Sequence, residues 1–189
     1  MFWDFLMETS LIGEFPLEIA IISSTKVGVE LNHTITERNL GEIWLTIMLD
    51  TYLRSVLSYH ITIGQPSNRS NIMVLNECVR RYNRLPMTIV TDQGRDFTGG
   101  FYKLLKRYGV IMVCRSPHQA QFSSLVERCL ASVTSQTFHN LKGNTEIIRN
   151  SSMDTKATKP LDNRVWTLPA LNALFKEYFY ESYDTTKHS

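Results

Sequence analysis

Residues 43–50 read IWLTIMLD, apolar at nearly every position and closed by a single carboxylate, Asp50. An uninterrupted apolar run of this length predicts a central strand buried on both faces, because a half-exposed strand would alternate. The flanking stretches have strand character as well. Residues 26–34, KVGVELNHT, alternate with Val27, Val29 and Leu31 on one face and Gly28, Glu30 and Asn32 on the other, and residues 56–63, VLSYHITI, are rich in β-branched and aromatic residues. Three strands with short connections predict an antiparallel meander around residues 43–50.

Beyond Gln65-Pro66-Ser67 the period changes to helical, with Ile72, Leu75, Val79 and Tyr82 recurring and Ser67 or Asn68 placed to cap. Thr88 to Thr91 is a short apolar strand ending in Asp92, Phe101, Leu104, Leu105 and Tyr108 mark a second helix, and Val110 to Cys114 is a fifth strand. A third helix is expected from Ser124 through Leu130, Val133 and Thr137, stopping near residues 141–143. Residues 143–166 are polar and aperiodic, a long loop, and Thr167 to Tyr183 form a last amphipathic helix. This order describes one α/β domain with a mixed sheet. Its expected parts are an N-terminal extension (1–25), a core (26–142), the loop (143–166) and a closing C-terminal helix (167–189). Internal repeats, a Walker loop and GxGxxG are all missing from the sequence.

With 189 residues and 43% hydrophobic content the chain can bury one substantial core, which excludes a disordered segment or a small stapled scaffold. Cys78, Cys114 and Cys129 form no CxxC pair, and an odd number argues for a reducing, cytosolic setting without a disulfide framework or a zinc site. The net charge of +2 conceals an asymmetry: residues 1–50 carry 2 basic and 8 acidic side chains, whereas residues 51–149 carry 13 and 5. A basic middle points to a polyanionic partner. Neither a targeting segment nor a membrane span is visible, so a soluble protein is expected.

Several residues could carry chemistry, each beside a plainer structural role. Asp92, at the end of a short buried strand and before Gln93-Gly94, either projects at the carboxyl edge of the sheet or simply opens a turn. Glu127 completes a capping box with Ser124. His33 and His60 fall within strand patterns, as hydrogen-bonded core or edge residues do. Asp50 and Arg54 suit an ion pair or turn cap, and Lys103, Lys106 and Arg107 are either a solvated face or phosphate contacts.

Read together, four blocks resemble a known family: IWLTIMLDTYLRSVLSY (43–59), TDQGRDF (91–97), SPHQAQFSSLVERCLASVTSQTFHNLKG (116–143) and WTLPALNALFKEYFYESYD (166–184). They are similar to the catalytic core of retroviral-type integrases, in particular to TnsB-type transposases related to phage Mu transposase, over residues 26–183. The 34 residues between Asp92 and Glu127 are close to the spacing of that family's second and third acidic residues. The resemblance implies a ribonuclease H-like α/β fold with a five-stranded mixed sheet flanked by helices. It also implies DDE-type DNA breakage and strand transfer by three carboxylates around two Mg²⁺ ions, with Mn²⁺ tolerated.

Under this resemblance Asp92 is the second acidic residue, Glu127 the third, and Arg128 completes the Glu-Arg pair. The first is expected in an Asp-His-Thr strand, which the resemblance places at Asn32-His33-Thr34, so Asn32 stands in place of Asp. Ser123-Ser124 stand where the family has Lys-Gly. Loss of a unit charge about 4 Å from a cation is worth roughly 4 kcal/mol at an effective dielectric of about 20, so activity is expected to be impaired and Mg²⁺ weakly bound or absent. Asp92, Glu127 and Asn32 are expected to meet at one sheet edge, supported by Asp50 and His33. Lys103, Lys106, Arg107, Arg115, Ser123 and Arg128 are the expected DNA contacts. The implied partners are DNA (transposon ends and target) and other transposase subunits, not a membrane, in a bacterial cytoplasm with nucleoid association. The alternative is a catalytically silent ribonuclease H-like module that binds DNA or transposase subunits. A third reading, a nuclease of the same fold, predicts cleavage of RNA in a hybrid.

Overall fold

The computed structural model describes residues 12–32, 39–92, 99–115, 120–133 and 167–183. The apolar run around residue 45 becomes β2 (Asn39–Asp50), in which Ile43, Leu45, Ile47, Met48 and Leu49 are all buried. It pairs antiparallel with β1 (Ile19–Asn32) on one side and β3 (Val56–Ile63) on the other, the expected meander. Two short strands, β4 (Thr88–Thr91) and β5 (Ile111–Cys114), add to β1 in parallel and give the order β3-β2-β1-β4-β5.

Helices cover both faces, which is why β2 lacks alternation. On one side α1 (Asn68–Tyr82) and α2 (Gly100–Arg107) pack through Val74, Leu75, Cys78, Phe101 and Leu105 onto Ala20, Ile22, Met48 and Ile89. On the other, α3 (Ala120–Val133) and α4 (Leu168–Glu177), which runs on into a π-helical turn (Tyr178–Tyr183), pack through Val126, Cys129, Leu171, Phe175 and Phe179 onto Ile21, Ile47, Leu49 and Val90. Successive strand residues are thus sorted to opposite layers by the period of two. The architecture is the five-stranded mixed α/β sheet expected of a ribonuclease H-like fold.

Two element boundaries differ from expectation in ways that matter for the site. β1 begins at Ile19, seven residues before Lys26, so residues 19–25 belong to the sheet and not to an N-terminal extension. Ala20, Ile21 and Ile22 are all buried because β1 lies between two strands and two helical layers, and that burial erases the alternation that would announce a strand. α3 begins at Ala120, so Ser124 lies inside the helix and Glu127 is not the third residue of a capping box. The expected continuation of α3 beyond Val133 and the loop at 143–166 lie outside the described residues.

Candidate functional site

Two parallel strands, β4 and β5, end beside the middle of the longer β1, and their registers decide which residues lie side by side. Ile19, Ala20 and Ile21 of β1 pair with Thr88, Ile89 and Val90 of β4, and Thr91 of β4 pairs with Cys114 of β5. Continuing both registers past the last pairs sets Ser23 level with Asp92 and Asp92 level with Arg115. The backbone N–H of Arg115 donates to the Thr91 carbonyl at 2.7 Å, which anchors this end of β5. Ile21, Val90 and Val113 all contribute to the layer under α3 and α4. Two residues further on, Ser23, Asp92 and Arg115 fall on that same side by strand alternation. Asp92 is exposed, whereas Ser23 and Arg115 are partly buried.

α3 lies over this face. Val126 and Cys129 are buried in the layer, and Glu127 and Arg128 between them are exposed. By the continued registers Ser23, Asp92 and Arg115 fall side by side, and Glu127 and Arg128 lie on the exposed side of the helix packed over that face.

Asn32 is not part of this row. It pairs with Asn39 at the mouth of the β1–β2 hairpin, nine positions beyond Ser23. At about 3.3 Å per residue that is roughly 30 Å along the strand, so the expected meeting of Asn32 with Asp92 is corrected by the register. His33 lies outside the described residues. Asp50 is fully buried, its Oδ2 accepting from Leu17 N–H at 2.7 Å and its Oδ1 from Tyr52 and Leu53 N–H at 2.9 and 2.8 Å. It caps the β2–β3 turn, and among the described residues no ion pair joins it to Arg54. Ser123 lies in the first turn of α3. Lys103, Lys106 and Arg107 are exposed along α2, which packs on the opposite face of the sheet from α3. His60, partly buried in β3, has its pKa pulled below the usual 6.5 by burial and then by the Arg69 charge.

Sequence reading missed Ser23. Its signal was a polar triplet, Ser23-Ser24-Thr25, between the apolar runs IAII and KVGV. Ser24, on the other side of the strand, shares a 2.9 Å hydrogen bond with Thr46. Among the described residues no group of three His, Cys, Asp or Glu side chains could hold a metal ion.

Sequence comparison finds that the TnsB C-terminal domain family matches residues 21–143. The chain belongs to the TnsB C-terminal domain family. A relative of this TnsB-type domain is the transposase for transposon Tn552 of Staphylococcus aureus, 30% identical over 67 residues. That match covers 32% of this chain and 14% of the staphylococcal protein, so the chain spans a small part of its relative's length.

Among solved structures, the HTLV-2 integrase catalytic core domain in complex with magnesium, in its dimeric form, superposes with a TM-score of 0.53 at 18% identity. It covers 90% of this chain and 91% of that one. A chain of the simian T-cell lymphotropic virus intasome in complex with the PP2A regulatory subunit B56 gamma gives a TM-score of 0.60 at 18% identity, over 93% of this chain and 52% of that one. At these identities the likeness establishes the fold of the TnsB-type domain as that of integrase catalytic cores. Among its described residues no helix is long and apolar enough to cross a membrane.

Proposed function

We propose that this domain is the core of a DDE-type transposase that engages DNA while its own strand-breaking and strand-transfer chemistry is impaired. The observation that carries the reading is the Ser23–Asp92–Arg115 row at the carboxyl edge, where open α/β sheets place ligands. Arg115, held by its backbone bond to β4, suits a phosphate oxygen. Arg128 and the first turn of α3 extend that contact on the same face. Lys103, Lys106 and Arg107 on α2 offer a separate basic strip for a second DNA segment, as transposon end and target would require.

Mg²⁺, with Mn²⁺ as substitute, is the ion that such chemistry implies, and Asp92 and Glu127 are carboxylates of the right hardness. The row beside them does not fit a two-metal cluster, because its β1 position carries a neutral hydroxyl. The ion is therefore weakly bound or absent in this chain. Fellow transposase subunits are the natural partners, in a bacterial cytoplasm with nucleoid association.

The test pairs DNA binding with plasmid nicking. Binding should weaken steeply with salt, since each neutralised phosphate releases counterions, and Arg115→Ala should lower both the affinity and the salt slope. A Lys106→Ala, Arg107→Ala double variant should do the same independently. Unchanged binding in both variants would refute the DNA-facing reading. Robust Mg²⁺-dependent nicking by the unmodified chain, abolished in Asp92→Ala, would overturn the claim of impairment.

A further inference from the structure

We infer that Ser23 is the position at which this edge offers hydrogen-bond donation in place of cation ligation, and that a carboxylate there would create a divalent-cation site with Asp92. The inference rests on the proposed transposase core for its setting but on the strand register for its content. Ser23 pairs with Ile47 of β2, and the β1–β4 register, whose last pair is Ile21 with Val90, continues to set it level with Asp92, so the direction of its side chain is set by the sheet and not by a loop. Neighbouring strands are about 4.8 Å apart. Carboxylates at level positions on one face of such a pair can share a hard cation at its roughly 2.0–2.6 Å ligand distances.

The present row has a different electrostatic character. Reading across the three strands, the charges are zero at Ser23, negative at Asp92 and positive at Arg115, so the edge has no net negative charge to draw a cation. A serine hydroxyl and a guanidinium both donate hydrogen bonds, and they flank Asp92 on either side. The arrangement suits a phosphate oxygen better than a metal. Two adjacent carboxylates would reverse this: without a cation each disfavours ionisation of the other, and with one the repulsion turns into ligation.

The test is a calorimetric Mn²⁺ titration of the 189-residue chain without DNA, in four forms. Ser23→Asp should tighten Mn²⁺ about tenfold or more, the effect expected when a charged oxygen ligand replaces a neutral one. Adding Asp92→Asn to it should remove the gain. Asn32→Asp should leave the affinity of the unmodified chain unchanged. Ser23→Asp should also melt at a lower temperature in chelator and recover on adding Mn²⁺, because a ligand that binds only the folded state stabilises it.

Should Ser23→Asp fail to fold, the nearly isosteric Ser23→Cys takes its place with Cd²⁺, a soft ion that selects thiolate. A cadmium–thiolate absorption band that weakens in Ser23→Cys, Asp92→Asn is then the supporting result. A folded Ser23→Asp with unchanged Mn²⁺ affinity, a gain in Asn32→Asp, or a thiolate band indifferent to Asp92 would each overturn the assignment. None of these readouts involves DNA, so their failure is separable from failure of the transposase reading, which the binding of unmodified chain to DNA reports.

Discussion

Asp50 illustrates how a single side chain can look functional in sequence and prove structural. Its carboxylate is fully buried, and its hydrogen bonds go to three backbone N–H groups, one of which, Leu17, lies 33 residues away. Truncation to Ala should cost roughly 3 kcal/mol or more, since each buried donor left unsatisfied costs about 1–3 kcal/mol. Asp50→Asn should fall between, because an amide carbonyl can still accept from Tyr52 and Leu53 while its NH₂ cannot accept from Leu17. Urea unfolding of the two variants gives the order, and equal stabilities would contradict it. The cysteines supply a second residue-scale expectation. Burial pushes the Cys78 thiol up to about 11, and Cys129 is also buried, whereas Cys114 is exposed on β5. Alkylation of the folded protein at mildly alkaline pH should therefore label Cys114 first, as read by peptide mass mapping; early labelling of Cys78 would mean that its core opens readily.

At the scale of elements, α4 completes a core that the matched family span leaves open. That span ends at residue 143, yet Leu171, Phe175 and Phe179 of the last helix are fully buried against β2 and β3. Thr167 caps the helix by accepting from Ala170 N–H, and Pro169 sits in its first turn, where a missing N–H costs nothing. Tyr59 of β3 packs against the Phe175 and Phe179 rings at 6.1 and 5.3 Å and donates to the Asn172 carbonyl at 2.9 Å. From α1, the Arg81 guanidinium lies 3.4 Å from the centre of the Tyr180 ring and donates to the Val56 and Leu57 carbonyls, so three elements are joined at one residue. Phe179→Ala should cost about 3–5 kcal/mol, the usual penalty for a large buried aromatic. A chain ending at residue 166 should expose the apolar face of β2 and bind a hydrophobic dye. Native-like unfolding by that shorter chain would show that α4 is dispensable.

Across the whole molecule, buried titratable groups bound the pH range of stability on both sides. His60 has a lowered pKa, so the unfolded chain takes up its proton first as pH falls through 6.5; the contribution is complete above that value and is lost on acidification. On the alkaline side the shifts are upward. Burial raises Cys78 from 9.0 to about 11 and Tyr180 from 10.0 to about 12, the latter against the opposing Arg81 charge, and it raises Tyr59 further still. The unfolded chain then loses these protons first, so stability falls as pH rises above 9. The urea midpoint should be flat from about pH 7 to 8.5 and decline on either side. A midpoint that climbs between pH 9 and 11 would contradict these assignments.

The sequence by itself determined the meander, the two short parallel strands, the helices between them and the family, because apolar period and turn chemistry are local and the motif blocks are contiguous. It located Asp92 at a strand end and Glu127 on a helix without further help. It misplaced the start of β1, since a strand buried on both faces shows no alternation and Ser23-Ser24-Thr25 reads as polar connection. The motif resemblance put Asn32 beside Asp92, whereas the strand register continues to Ser23 at that level. Only tertiary structure could decide between them. Register is a relation between strands 69 residues apart in the chain, set by the packing of both faces, and a displacement of nine positions along β1 carries a side chain from the carboxyl edge to the hairpin mouth.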